Sequence, residues 1–233
     1  MQPPEPSLRE HCIAAACDPG SVHRVSLQSL QGLSVWRVRG DGKCLWYALA
    51  AGAAFCDGAS LEEVERMDRA GEIAGAARAV RRCVCRRLQD AETGGLRAEF
   101  LPFWAPGEEG TGDVEDSAAY LRGLCSGSVF GGELELKVAA EVAQRTIAVL
   151  NVSDHGSRHV YLTVYRPETI RECVSPILLL RQGLHYDAAH RRAPPRSKTP
   201  SPRLRARDEL PPLRSASVAR SRLGSRRAST SYF

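Results

Sequence analysis

Three residues of the sequence, Cys44, His185 and Asp187, are of the types that can serve as a nucleophile, a base and a carboxylate that orients the base. The uncharged run that follows Gly42 predicts a buried helix beginning at Cys44. A helix N-terminus carries unpaired N–H groups and about half a positive charge, which favours thiolate over thiol. Cys44 is therefore the best candidate nucleophile, and the backbone N–H groups of Lys43 and Cys44 are candidate oxyanion donors.

His185 and Asp187 fall in a predicted strand over residues 184–189, where side chains two positions apart share a face. Asp187 could then hold one imidazole nitrogen while the other nitrogen faces the thiolate of Cys44. The separation of 141 positions between Cys44 and His185 is similar to that of papain-like enzymes, but spacing alone is weak. The other five histidines fall in arms, turns or strand ends, and we interpret them as surface residues.

The eight cysteines do not indicate a disulfide framework, because the chain is large and shows no export signal. We therefore expect free thiols. Cys83 and Cys85 are too close together for a usual zinc knuckle, and Cys12 and Cys17 lack a matching pair at ligand spacing. The predicted chemistry uses no metal and no cofactor.

The hydrophobic pattern predicts one early strand, then helices, then a group of strands. Helices are predicted over residues 44–55, 60–90, 113–124 and 132–144, and strands over 34–39, 146–152, 160–165, 177–180 and 184–189. Ser60 with Glu63 matches a capping box, and Gly71 is a candidate interruption of the second helix. This order indicates an α/β or α+β fold in which helices flank a small, mostly antiparallel sheet.

Charge divides the chain near residue 190. Residues 191–233 carry 12 Lys and Arg residues and 2 acidic residues, a net charge of +10. Residues 1–190 carry 20 Lys and Arg residues and 25 acidic residues, a net charge of −5. We predict a loose N-terminal arm or short helix over 1–25, one domain over 26–190 and a disordered Arg/Ser/Pro-rich tail over 191–233. The tail could attract anionic partners non-specifically. With neither a signal sequence nor an apolar run of membrane-span length, we expect a cytoplasmic protein, a nuclear location being open through the tail.

Three segments of the chain resemble a known family. Residues 40–49 read Gly-Asp-Gly-Lys-Cys-Leu-Trp-Tyr-Ala-Leu, residues 130–136 read Phe-Gly-Gly-Glu-Leu-Glu-Leu, and residues 176–180 read Pro-Ile-Leu-Leu-Leu before His-Tyr-Asp at 185–187. In this order they resemble three features of the OTU (ovarian-tumour) deubiquitinases: the Asp-Gly-Asn-Cys-Leu-Phe-Arg-Ala motif, the Trp-Gly-Gly-Glu-Leu-Glu-Leu segment and the hairpin with the catalytic histidine. The resemblance covers residues 36–189.

This resemblance implies a papain-like fold and hydrolysis of the (iso)peptide bond after the C-terminal Gly-Gly of ubiquitin, through a thioester. It makes Cys44 the nucleophile, His185 the base and Asp187 its partner, with Asp41 shaping the oxyanion loop. By position alone, Asp41 is also a turn residue that accepts local N–H bonds, and the two interpretations are compatible. The implied partner is ubiquitin or a polyubiquitin chain.

A Gly-Gly tail needs a channel too narrow for side chains, and Phe130, Gly131, Gly132 and Glu133 are predicted to line it, with Lys43 beside the nucleophile. The alternative for the first three is a helix-entry turn with a core aromatic residue. Lys43 replaces the usual asparagine of the family, and Phe130 replaces its tryptophan. Lys43 could favour the thiolate, while Phe130 keeps an aromatic wall but lacks the indole N–H donor.

Two other functions are open at this point. The domain could be an inactive ubiquitin-binding module in which these two replacements disable the chemistry. Alternatively, the basic tail could carry the main role by binding nucleic acid or another anionic surface.

Overall fold

The computed structural model describes residues 6–17, 23–26, 28–103, 114–152, 159–169 and 175–191. Its helices are α1 (Leu8–Cys17), α2 (Cys44–Cys56), α3 (Leu61–Arg69), α4 (Glu72–Leu88), α5 (Val114–Ser126) and α6 (Glu133–Ala143). Its strands are β1 (His23–Ser26), β2 (Leu33–Trp36), β3 (Ile147–Val152), β4 (His159–Tyr165), β5 (Ile177–Gln182) and β6 (His185–Arg191). No helix in this part of the chain has the length and hydropathy of a membrane span.

The strands form one sheet in the order β1-β4-β3-β5-β6-β2, in which β3 and β5 are parallel and every other pair is antiparallel. The two faces alternate along each strand, so that Ile147 and Val149 pack under the helices whereas Ala148 and Leu150 face the other way. This arrangement confirms the predicted mixed α/β class with a mostly antiparallel sheet.

Helix α2 lies at the centre of the larger core, as its lack of charge predicts. Its residues 44–46 and 48–52 are buried, and they share this core with β5, β6 and the other helices that follow. The helix approaches β5 closely at Gly52, where an added Cβ would lie 2.6 Å from Ile177 Cγ2. The absence of a side chain at this position therefore sets how near the helix carrying Cys44 can come to the sheet.

Gly52→Ala should destabilise the protein by about 1–2 kcal/mol, since overpacking outweighs the gain in helix propensity. Gly75 is a matched control, because it also lies inside a helix, and an added Cβ there meets nothing within 4 Å. Gly75→Ala should stabilise the protein by roughly 0.5–1 kcal/mol. Urea unfolding checks both values, and equal shifts of the two midpoints would contradict the close approach.

Local sequence signals set the start of α3 and its separation from α4. Ser60 caps α3 through a complete capping box with Glu63, and Gly71 separates the two helices at a φ of 77°. This positive φ costs glycine little, so the predicted long helix divides at the residue that the sequence marks.

The N-terminal segment predicted as an arm or a short helix forms α1 and β1. Leu8, Cys12 and Ala15 of α1 are buried against the second face of the sheet, and β1 pairs with β4 across the predicted boundary at residue 25. At the other end, Arg191 is the last residue of β6, and the rest of the predicted tail lies outside the described residues.

Candidate active site

The candidate nucleophile is the first residue of α2, at the end of a loop shaped by glycine and aspartate. Gly42 has a φ of 82°, in the region that glycine adopts most easily. Asp41 Oδ1 accepts the backbone N–H of Lys43 at 3.0 Å, the local turn bond that its position predicts. The chain then enters the helix with its first N–H groups pointing out of the helix end.

This turn bond corrects one expectation about the oxyanion donors. The N–H of Lys43 is already bound to Asp41, whereas no described group accepts the N–H of Cys44. Of the two predicted donors, therefore, only the N–H of Cys44 is free to meet an oxyanion. Asp41 acts on this loop by holding its turn.

The thiol of Cys44 lies against the hairpin that joins β5 to β6. The residue is only 3% exposed, and its Sγ donates a weak hydrogen bond to the Leu184 carbonyl oxygen at 3.8 Å. Leu184 immediately precedes His185, so the hairpin brings the sulfur next to the predicted base. In this resting arrangement the thiol bonds to the hairpin backbone, and no hydrogen bond joins Sγ to the imidazole among the described contacts.

His185 and Asp187 share one side of β6, as the alternation of a strand predicts. His185 Nε2 lies 3.1 Å from Asp187 Oδ1, and the same oxygen accepts the backbone N–H of Val38 at 2.8 Å. Because a carboxylate only accepts, Nε2 is the donor in this contact, and in the neutral imidazole Nδ1 is then the nitrogen that can accept a proton. Nδ1 faces the loop before the nucleophile, since a Cβ placed on Gly40 would lie 4.0 Å from it.

Asp187 is a rigid partner, being only 6% exposed and held by two donors. The bond to Val38 also explains why β2 ends at Trp36 rather than at the predicted residue 39: the N–H that would continue the strand ladder binds a side chain instead. Sequence alone did not indicate this contact, which joins residues 149 positions apart.

Phe130 and Gly131 lie beside the start of α2. A Cβ on Gly42 would lie 3.7 Å from Phe130 Cε1, and a Cβ on Gly131 would lie 2.6 Å from Leu45 Cδ2. Phe130 is 55% exposed, so it is not the core aromatic residue of the alternative interpretation. The predicted wall therefore stands against the nucleophile loop, with its aromatic ring open to solvent.

Glu135 holds this wall in place, a role that the sequence analysis missed. It is 1% exposed and accepts the N–H of Gly132 at 2.6 Å and the Tyr120 hydroxyl at 2.6 Å. Burial and then the negative charge of Glu135 raise the pKa of Tyr120, so this hydroxyl stays protonated and keeps donating. A glutamate three residues after a glycine at a helix start is the signal that could have identified this contact.

Glu133 lies at the start of α6 with its side chain largely exposed. Its carboxylate is 3.8 Å from the guanidinium of Arg181 on β5, so an ion pair joins the wall to the hairpin that carries His185. The predicted site residues thus come from three places: the α2 loop, the α6 entry and the β5–β6 hairpin. The structure places them side by side.

Burial makes two of the other described cysteines poor nucleophiles. Burial raises the pKa of Cys56 and of Cys85, which keeps both in the thiol form. Cys83 and Cys125 are exposed, and neither is described with an imidazole beside it. The six cysteines whose side chains the structure describes are all free thiols, as predicted. The described part of the chain contains no group of three or more His, Cys, Asp and Glu side chains that could hold a metal ion.

Several solved structures are similar to this chain. The OTU of Hazara virus bound to ubiquitin is 22% identical, with 76% of this chain and 92% of that chain covered at a TM-score of 0.48. The viral OTU domain protease from Taggert virus is 17% identical, with 75% of this chain and 89% of that chain covered at a TM-score of 0.46. An OTU deubiquitinase from Wolbachia pipientis wMel bound to ubiquitin is 11% identical, with 69% of this chain and 96% of that chain covered at a TM-score of 0.47.

No curated protein matches the sequence. The family model described as OTU-like cysteine protease, however, matches residues 39–190, which is more than half of the chain. That range contains the α2 loop, the wall and the hairpin that form the site. The chain belongs to the OTU-like cysteine protease family.

Proposed function

We propose that this protein is a cysteine-type deubiquitinase that hydrolyses the bond after the C-terminal Gly-Gly of ubiquitin. The observation that carries this proposal is the arrangement around the hairpin: Asp187 holds His185 in the orientation of a base, and the residue before His185 contacts the Cys44 thiol. A nucleophile, its base and a group that orients the base are the parts that thioester chemistry requires.

In the proposed reaction, the hydrogen bond from the Cys44 thiol to the Leu184 carbonyl oxygen breaks, and the thiol gives its proton to His185 Nδ1. The thiolate attacks the carbonyl carbon of the last glycine, and the N–H of Cys44 donates to the oxyanion. The imidazolium then protonates the leaving amine, and the C–N bond breaks to give a thioester. A water molecule deprotonated by His185 attacks this thioester and releases the free carboxylate together with the Cys44 thiol.

The wall supports ubiquitin as the acyl donor. Phe130 lies against Gly42 of the nucleophile loop, and Gly131 lets the backbone of the wall come close to Leu45 of α2, so that the wall and the loop can border a narrow channel beside Cys44. An extended tail that ends in two glycines fits such a channel, whereas bulkier residues next to the scissile bond do not. Ubiquitin and polyubiquitin chains are therefore the proposed partners.

The full chain should release the fluorophore from ubiquitin bearing a C-terminal aminocoumarin, and it should cleave at least one member of a panel of di-ubiquitins. Release of many fluorophore molecules by each protein molecule supports the deubiquitinase. If the chain binds ubiquitin but neither releases the fluorophore nor cleaves any linkage, the inactive binding module is the better account.

A further inference from the structure

Two basic side chains converge at Gly127, the glycine that follows α5. An added Cβ on Gly127 would lie 2.1 Å from Arg81 Nη1 and 3.3 Å from Lys43 Cε. Arg81 comes from α4, and Lys43 is the residue immediately before Cys44. The two basic side chains therefore approach the same point on Gly127, and one of them belongs to the residue next to the proposed nucleophile.

Neither cation is neutralised in the part of the chain that the structure describes. No salt bridge or hydrogen bond from the Lys43 ammonium or the Arg81 guanidinium is found there, and Arg81 Nε is buried without a partner. The C-terminus of α5 offers only about half a negative charge, and the buried carboxylate of Glu135, which acts on Cys85 together with Arg81, already accepts the Gly132 N–H and the Tyr120 hydroxyl. Two close, partly buried cations repel each other, and an anion between them would remove that cost.

On these grounds we propose that Lys43 and Arg81 form a binding site for a carboxylate of the substrate, contributed by an acidic residue next to the lysine that bears ubiquitin. This inference rests on the proposed deubiquitinase function. The acyl part of that substrate ends in two glycines, which have no charged side chains. In the uncleaved conjugate, an anionic side chain beside Cys44 therefore comes from the leaving-group segment.

The site also accounts for Gly127. Its φ is 83°, and any side chain there would fill the space in which the two basic groups meet. Glycine at this position therefore lets the Arg81 guanidinium lie directly against the backbone, with the Lys43 side chain close by. The guanidinium can bind a carboxylate with two parallel bonds, and the ammonium adds a third donor.

Two matched substrates test this inference. Each is ubiquitin joined through its last glycine to the lysine of a short blocked peptide, and the residue next to that lysine is glutamate in one and glutamine in the other. The wild-type chain should cleave the glutamate conjugate with a kcat/KM about tenfold higher, the size expected for a charge-assisted contact. The difference should lie mainly in KM and should shrink in high salt.

The ratio of the two rates should fall to about one in the double variant Lys43→Met, Arg81→Met. Arg82→Met removes the same charge from an exposed position one residue along α4, and it should keep the wild-type ratio. Because each ratio is measured on one enzyme preparation, partial unfolding of a variant cancels. Arg81→Glu should lower the ratio below one, since a carboxylate at this position repels the glutamate substrate.

Equal cleavage of both conjugates by the wild-type chain would overturn the carboxylate site while leaving the proposed function intact. So would a tenfold preference that survives in the double variant. Failure to cleave either conjugate would overturn the proposed function, and with it this inference.

Discussion

Cys44→Ala should reduce the hydrolysis of ubiquitin C-terminal substrates by at least about 1,000-fold, to the background rate. Burial raises the pKa of Cys56 and Cys85, which keeps both in the thiol form, and no hydrogen bond joins the exposed Cys83 or Cys125 to an imidazole among the described contacts. Release of aminocoumarin from the ubiquitin substrate measures the loss. The fold should survive, because alanine is a good helix former and the change removes one atom.

Cys83→Ala is the control for this prediction. Cys83 is exposed on α4, so its replacement should leave both the rate and the stability close to those of the wild type. A Cys44→Ala protein that retains a tenth or more of the wild-type rate would remove the nucleophile from the proposed mechanism.

Asp187→Ala should lower kcat/KM by about 100-fold or more and destabilise the protein by about 1–3 kcal/mol. The variant removes the acceptor that orients His185, and it also leaves the buried N–H of Val38 unpaired. Kinetic assays measure the first effect, and urea unfolding measures the second.

Asp187→Asn separates the roles of geometry and charge. Both donors bind the same oxygen, Oδ1, so an asparagine oxygen can accept both bonds. We expect this variant to keep nearly the full stability and to lose no more than about tenfold in kcat/KM, since only the stabilisation by charge is lost. If the alanine variant matched the wild type in rate, Asp187 would have only a structural role.

Sequence patterns predicted the site where the cause is local. The glycines and the aspartate before Cys44 mark the end of a loop, and the uncharged run after them marks a buried helix. The alternation of a strand placed His185 and Asp187 on one side of β6. Ser60 and Gly71 likewise fixed the ends of two helices, because caps and positive φ values depend on neighbouring residues.

The contacts that sequence patterns did not predict join distant residues. The bond from Val38 to Asp187, the contact of Cys44 with Leu184 and the position of Arg81 over Gly127 all depend on how the elements pack. The bond from the Lys43 N–H to Asp41 is local: the turn position of Asp41 predicted a bond of this kind but did not identify its donor, because an aspartate in a turn can accept from more than one N–H. The parallel pairing of β3 with β5 also has no local signal.

The most direct measurement of the central claim is the reaction of the full chain with ubiquitin that carries an electrophile at its C-terminus, followed by peptide mapping of the adduct. For attack on this probe, the thiol of Cys44 must break its hydrogen bond to the Leu184 carbonyl oxygen and lose its proton to His185. We predict a single adduct at Cys44 that forms far more slowly in the His185→Ala variant. An adduct at Cys83 or Cys125 instead, or ubiquitin binding with no adduct at all, would contradict the account.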